Sequence, residues 1–332
     1  MPDTFRYDNM QYTNCGHSGL KLPRVALGVW HNFGGVNSFE NSRAMLLRAF
    51  DLGINHIDAA NNYGPPPGSA EECVGRILKQ DLSAYRDELI ITSKAGYEMW
   101  PGPYGNWGSR KSLIASLDQS LKRMGLEYVD IFYHHRRDEN TPLEESMGAL
   151  ADIVRQGKAL YVGVSNYNAD DTKKASDMLK GMGVKLIIHQ HRYNMISRDP
   201  QENLYPCLKS EGIGSIAFCP LEQGLLTGKY LKDIPKDSRA ASADSPFLNA
   251  EDISDKRRAM LLKLDGIAKS RAQTLAQMAL AWTLREGGAD YSIIGSSSVK
   301  QVEENVAALN NIVFSTEEAS AIDAVIKEAG DL

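Results

Sequence analysis

The chain has 332 residues, of which 42% are hydrophobic and 24% charged, and its formal net charge is −5. That is the composition of an ordinary globular protein, and an acidic balance gives no bulk attraction to nucleic acid or to an anionic membrane. Any anionic group on a ligand must be held locally, by particular cations or backbone N–H groups.

Residues 1–12 are polar and lack the apolar stretch of a signal peptide. No segment approaches the roughly 18 apolar residues of a membrane span, so a cytoplasmic protein with no membrane partner is expected. Residues 12–22 read as a hairpin turning near His17, Ser18 and Gly19, placed to plug the bottom of whatever follows. Short apolar runs rich in β-branched residues then recur at 25–29, 53–57, 89–92, 128–132, 159–164, 185–188, 214–218 and 291–294. Such runs mark buried parallel strands. Amphipathic stretches lie between them at 41–52, 109–124, 143–156, 171–180, 203–211, 274–285 and 300–309. In the second, Leu113, Leu117 and Leu121 stand four apart and line one helical face. Asp170 reads as an N-cap and Gly181 as a C-cap.

This alternation predicts βα units closing into a (β/α)8 barrel, with residues 1–332 as one domain. A doubly wound sheet competes, but no G-x-G-x-x-G follows the first strand. Residues 221–269 are polar, carry Pro235, Pro246 and an Ala/Ser/Asp tract, and read as a long loop after the seventh strand. The four cysteines, Cys15, Cys73, Cys207 and Cys219, show no C-x-x-C or zinc spacing, so neither a disulfide framework nor a metal site is expected.

A barrel of this kind carries its active site at the C-terminal strand ends. There the sequence places Trp30 and His31, then Asp58 with Asn61, Asn62 and Tyr63, then Lys94, His134 and His135, Ser165 and Asn166, Gln190, Phe218 and Cys219, and Gly295 with three serines. Each alone has a bland reading as a cap, a solvated end or packing. Together they form a chemistry. Asp58 can neutralise a buried Lys94, and a cation beside Tyr63 is expected to lower its pKa from about 10. The phenol then serves as general acid while a histidine donates to a carbonyl oxygen. The hydride that completes a carbonyl reduction must come from a cofactor.

The segments "GINHIDAANNYG", "IITSKAG", "VDIFYHHR", "YVGVSNY", "AFCPLEQGLLTGKY" and "IIGSSSVKQVEENVAAL" run in order from about residue 14 to residue 325. In these the chain resembles the aldo-keto reductase superfamily. Segments "WHNFG", "NNYGPPPGSAEE" and "KAGYEMWPGPYG" resemble its bacterial branch of L-glyceraldehyde 3-phosphate reductases, also described as methylglyoxal reductases, which are related to the voltage-gated potassium channel β subunits.

The resemblance implies a catalytic tetrad of Asp58, Tyr63, Lys94 and His135. It selects His135 over His134 because His135 lies five residues after Asp130, and strand neighbours face opposite sides. The channel β subunits carry Asn at that position. The resemblance also implies NADPH as cofactor. Ser165, Asn166 and Gln190 would meet the nicotinamide carboxamide, and Phe218 would stack on the ring. Leu221, Gln223, Gly224, Leu225 and Lys229 would wrap the pyrophosphate. Gly295, Ser297, Gln301, Glu304 and Asn305 would line the adenosine end, with Trp30 and Cys219 completing the set. The usual Lys and Arg for the 2′-phosphate are Gly295 and Gln301 here, which leaves Ser297 and Lys300 as candidates.

Trp30, Tyr63, Met99, Trp100, Trp107 and His135 would line a narrow pocket for a small aldehyde. Whether it admits a phosphorylated aldehyde depends on the nearby cations Arg110, Lys111 and, directly after His135, Arg136; Arg110 either holds a substrate phosphate or is, with Lys111, a solvated residue near a helix start. A homo-oligomer, tetramer or octamer, is implied by resemblance. The rival readings are a nucleotide-binding sensor like the channel β subunits, a Schiff-base aldolase using Lys94, and a metal hydrolase, for which His134, His135, His189 and His191 make no convincing ligand set.

Overall fold

Tyr12–Asn14 (β1) and Lys21–Pro23 (β2) pair antiparallel, Thr13 opposite Leu22, in a computed structural model that describes residues 2–236, 238–241 and 248–330. Cys15 and Leu22 of this hairpin are buried in one cluster with Ala26, Ile131, Tyr133, Ile188, Ile216, Tyr291 and Ile293, the side chains that fill the barrel. The hairpin therefore closes one end of the barrel, as its position in the sequence predicts.

Eight parallel strands form a closed barrel: Val25–Gly28 (β3), His56–Asp58 (β4), Ile90–Ala95 (β5), Val129–His134 (β6), Ala159–Ser165 (β7), Leu186–Arg192 (β8), Gly214–Phe218 (β9) and Tyr291–Ile294 (β10), with β10 closing on β3. The fold is a (β/α)8 barrel. Several strands run further toward their C-terminal ends than their apolar runs, through Asp58, Ala95, His134 and Arg192. The ladder is made by backbone groups and tolerates polar side chains wherever these find partners. The start of β4 differs in the other direction. Gly53 sits at φ +85° and Ile54 N–H donates to Ala49 O, so residues 53–54 finish the preceding helix.

The helices around the barrel are Phe39–Asp51 (α1), Ser69–Ile77 (α2), Arg110–Met124 (α3), Leu143–Arg155 (α4), Ala169–Gly181 (α5), Leu204–Glu211 (α6), Asp255–Ser270 (α7), Leu275–Thr283 (α8), Val299–Val306 (α9) and Thr316–Ala329 (α10). In α3, Leu113, Leu117 and Leu121 are buried, and Ser109 accepts from Ser112 N–H to cap the first turn. In α5 the cap is Asn168, which accepts from Asp171 N–H, and not Asp170. Asp170 lies in the first turn, where its charge faces the positive end of the helix dipole. Gly181 is the last helical residue rather than the cap, and Gly183 takes the left-handed conformation two residues later.

Helix α7 occupies the second half of the segment expected to be a loop. Met260, Leu261, Leu264 and Ala268 bury one narrow face among charged neighbours. The loop after β9 thus ends at Ser254, which caps α7. Residues 237 and 242–247, including much of the Ala/Ser/Asp tract and Pro246, lie outside the described residues.

Candidate active site

Asp58 ends β4 and pairs in register with Thr92, two residues before Lys94 on β5. A strand period of two sends Thr92 and Lys94 to the same side as Asp58, into the barrel. Lys94 Nζ donates to Asp58 Oδ2 at 2.7 Å, to Ala59 O at 2.7 Å and to Tyr63 Oη at 3.3 Å. Asp58 Oδ1 accepts from Thr92 Oγ1 and from Gln190 Nε2, each at 3.0 Å. Lys94 is completely buried and Asp58 nearly so. Burial pushes the Lys94 pKa down against the opposing pull of the Asp58 carboxylate.

Tyr63 lies in the turn after β4, its N–H donating to Ala60 O at 3.1 Å. Burial, and then the Asp58 carboxylate, push its phenol well above the ordinary value. This corrects the expectation that Lys94 would lower it. The ammonium charge is already matched by Asp58, and desolvation of a phenolate outweighs what remains. Tyr63 is therefore a protonated phenol at neutral pH, with an ammonium N–H aimed at its oxygen.

The paired histidines divide as strand geometry requires. His134, the last residue of β6, places Nδ1 2.6 Å from Tyr167 Oη, outside the barrel. His135 is one residue further on, and its ring centre lies 6.0 Å from that of Tyr63. Its N–H donates to Ala95 O, and its ring Nδ1 is buried with no partner among the described residues. Desolvation, then the Lys94 charge, hold the imidazole well below its ordinary pKa, so it is neutral.

The neighbouring strand ends carry amides and a strained loop. Asn166, at φ +56°, donates through Nδ2 to His135 O at 3.0 Å and to Ser165 Oγ at 3.1 Å. Phe218 ends β9, half-buried against the barrel filling. Cys219, Glu222, Gln223 and Gly224 then all take positive φ. Asn194 Nδ2 pins this turn, donating to Cys219 O at 2.9 Å and to Glu222 Oε2 at 2.5 Å, and Arg192 pairs with Glu222. Leu225 is buried beneath it, while Leu221 and Lys229 are partly covered at its flanks or exposed.

Beyond β10 and Gly295, Ser297 donates through N–H and Oγ to Gln301 Oε1 at 2.9 and 3.1 Å, and Asn305 Nδ2 donates to Ser296 Oγ at 3.3 Å. Ser298 caps α9, and Lys300 Nζ lies 3.6 Å from Glu304. Trp30 follows β3, half-buried, its ring 5.4 Å from that of His31.

A family model described as the aldo/keto reductase family matches residues 24–327. The chain belongs to the aldo/keto reductase family. Over 321 residues it is 56% identical to L-glyceraldehyde 3-phosphate reductase of Escherichia coli (strain K12), covering 96% of this chain and 93% of that one. It is 34% identical over 324 residues to a probable voltage-gated potassium channel subunit beta of Oryza sativa subsp. japonica, covering 96% and 97%. A probable voltage-gated potassium channel subunit beta of Arabidopsis thaliana is also 34% identical, over 314 residues, covering 92% and 93%. Family and relatives together support an oxidoreductase that reduces aldehydes, and aldo/keto reductases generally use NAD(P)H. Among the described residues no helix is long and apolar enough to cross a membrane, and no three His, Cys, Asp or Glu side chains are grouped to hold a metal ion.

In this aldo/keto reductase the donor set fits a nicotinamide dinucleotide. Gln190 donates to Asp58, Asn166 donates to His135 O and to Ser165 Oγ, and the backbone at 219 and 222–224 is left-handed, so amide and hydroxyl groups and a tight turn lie at neighbouring strand ends of one barrel mouth. At the mouth, Met99 and Trp100 are half-buried and Trp107 is exposed. Arg110 begins α3, pairs with Asp152 at 2.6 Å, and donates its N–H to Glu145, so its charge is spent on α4. Lys111 stacks over the exposed Tyr104.

One residue here, Tyr97, escaped the sequence reading of the pocket. Tyr97 packs edge-on against His135 with ring centres 4.7 Å apart. Arg136 lies over Tyr97 and over Trp107, 4.2 and 3.6 Å from their ring centres. Tyr97 directly follows "SKAG", so adjacency to a strand end was the available signal.

Proposed function

We propose that this protein reduces small aldehydes to alcohols with NADPH, with L-glyceraldehyde 3-phosphate and methylglyoxal as the substrates to try first. The observation that carries the reading is the buried chain Asp58–Lys94–Tyr63 with neutral His135 beside the phenol. The bound nicotinamide supplies the hydride.

The chain's own residues do the rest. Tyr63 donates its proton to the carbonyl oxygen. Lys94, already donating to Tyr63 Oη, stabilises the phenolate left behind, and Asp58 keeps the ammonium charged and oriented. His135 donates a ring N–H to the same carbonyl oxygen and fixes the aldehyde's orientation. Ser165, Asn166 and Gln190 would hold the carboxamide of the cofactor, and Phe218 would supply an aromatic face for its ring. The turn carrying Cys219, Leu221, Gln223, Gly224, Leu225 and Lys229 takes the pyrophosphate. Gly295, Ser297, Gln301, Glu304 and Asn305 would hold the adenosine end, with Ser297 and Lys300 for the 2′-phosphate, and Trp30 would complete the set. The same reading places the enzyme in the cytoplasm as a homo-oligomer, which sedimentation would measure.

The test is oxidation of NADPH, and separately of NADH, with each aldehyde, repeated with Tyr63→Phe. The variant should bind nucleotide normally and lose roughly 100- to 10,000-fold in turnover, the usual worth of a general acid. Turnover unchanged in the variant removes Tyr63 from the role. Nucleotide binding without reduction of any aldehyde by the wild-type protein favours a nucleotide sensor instead.

A further inference from the structure

The cations around the mouth are mostly neutralised. Lys94 pairs with Asp58, Arg110 with Asp152 and Arg192 with Glu222, and Arg137 lies 3.9 Å from Asp171. Arg136 is different. It forms no ion pair among the described residues, although it directly follows His135. Its Nε donates to Gly96 O and its Nη2 to Asn106 Oδ1, each at 3.0 Å, and both acceptors are neutral. Nη1 donates to no described residue. The nearby Asp138 gives its carboxylate to Gly108 N–H, Asn140 N–H and Thr141 Oγ1.

The guanidinium is also held rigid. It lies against the rings of Trp107 and Tyr97, and Tyr97 in turn packs on His135. Contact with two aromatic rings removes part of its hydration, and in that setting a full charge acts more strongly on an anion than it would in bulk water. A planar fork fixed in advance is suited to bidentate capture of a phosphate or carboxylate, with little entropy left to lose. Clamping the loop from Gly96 to Trp107 needs only the two hydrogen bonds and the stacking. It does not need a charge left without a counter-ion.

We propose that Arg136 is the residue through which this site selects aldehydes that carry an anionic group, a phosphate ester or a carboxylate, on the short chain beyond the carbonyl. The inference rests on the reductase reading above and adds to it the residue that reads the anion and so favours a charged aldehyde over an uncharged one.

The experiment compares kcat/KM for glyceraldehyde 3-phosphate, for succinic semialdehyde and for uncharged glyceraldehyde, in wild type, Arg136→Met and Arg136→Lys, with circular dichroism as the check on folding. In Arg136→Met the preference for the anionic aldehyde over glyceraldehyde should fall roughly 10- to 100-fold, the worth of a charged hydrogen bond, and mainly through KM. Arg136→Lys should restore part of that preference. The phosphate and carboxylate arms say which anion is read. An equal loss for all three aldehydes in Arg136→Met makes Arg136 only the clamp of the loop and overturns the proposal. So does a wild-type enzyme that reduces glyceraldehyde with no preference for either anion. A wild-type protein that reduces none of them ends the reductase reading, and this inference with it.

Discussion

Lys94→Met separates what the Lys94–Asp58 pair does for stability from what it does for chemistry. The substitution keeps a long apolar stem in the barrel and deletes an ammonium that makes three hydrogen bonds, to Asp58, Ala59 and Tyr63. Little volume is lost, so the penalty is electrostatic. Asp58 keeps Thr92 and Gln190 as donors on Oδ1 but loses the cation on Oδ2. Removing one partner of a buried pair costs about 3–5 kcal/mol, because the other charge stays buried. Against a total stability of about 5–15 kcal/mol that is a large loss. Adding Asp58→Asn removes the stranded charge, and the double variant should recover most of the deficit, since replacing both partners is close to neutral. Urea unfolding followed by tryptophan fluorescence measures all three proteins, and the two substitutions should be strongly non-additive. A single variant within about 1 kcal/mol of wild type, or additive effects in the double variant, would refute the argument that the buried charge is what costs.

Three further outcomes are expected. Burial holds the His56, His134 and His189 imidazoles at about 4, down from 6.5. Because their folded values are depressed, the unfolded chain binds more protons in that window. Their stabilisation is whole above pH 6.5 and is lost as pH falls toward 4, so urea midpoints should drop steadily across that range, and a flat profile would contradict it. Gly163→Ala would set a Cβ 2.5 Å from the Tyr133 ring and 2.9 Å from Ile188 Cγ2, and should cost about 1–3 kcal/mol in the same unfolding assay. Gly96 sits at φ +152° with its Cβ position 3.1 Å from His135 Cβ, so Gly96→Ala should displace His135 and lower kcat roughly 10-fold or more; normal kcat would show that the position of His135 is not set there.

The barrel was legible because its signal is repeated. Runs 214–218 and 291–294 coincide with β9 and β10, since apolar strands bounded by polar residues leave little room for error. What was missed has a local cause. Helix α2 follows the proline-rich turn at 65–67 and spends a buried position on Glu71, whose carboxylate accepts from Ser93 Oγ and Arg123 Nε. A carboxylate on the inner face looks like a break in the apolar stripe unless its partners are known. Helix α7 hides similarly behind a high density of charged residues. Both cases show tertiary partners overriding a pattern read one segment at a time.

At the candidate site, which residues meet was easier to read than what their meeting does. Asp58, Lys94 and His135 were visible because strand ends converge in a barrel and strand parity assigns one face to each residue. The electrostatics did not follow from the list. A cation near a phenol lowers its pKa only if the cation is uncompensated, and Lys94 is bonded to Asp58 at 2.7 Å. Burial therefore decides the sign for Tyr63, and the phenol stays protonated until a negative oxygen appears beside it. That is the property a proton donor needs at neutral pH, and under the proposed function it would give Lys94 a different task. In that proposal its hydrogen bond to Tyr63 Oη would strengthen as the phenolate forms, acting on the transition state rather than on the resting enzyme. Arg136 illustrates the converse. Its charge has no carboxylate partner among the described residues, and a charge left open beside the mouth can be completed by a ligand.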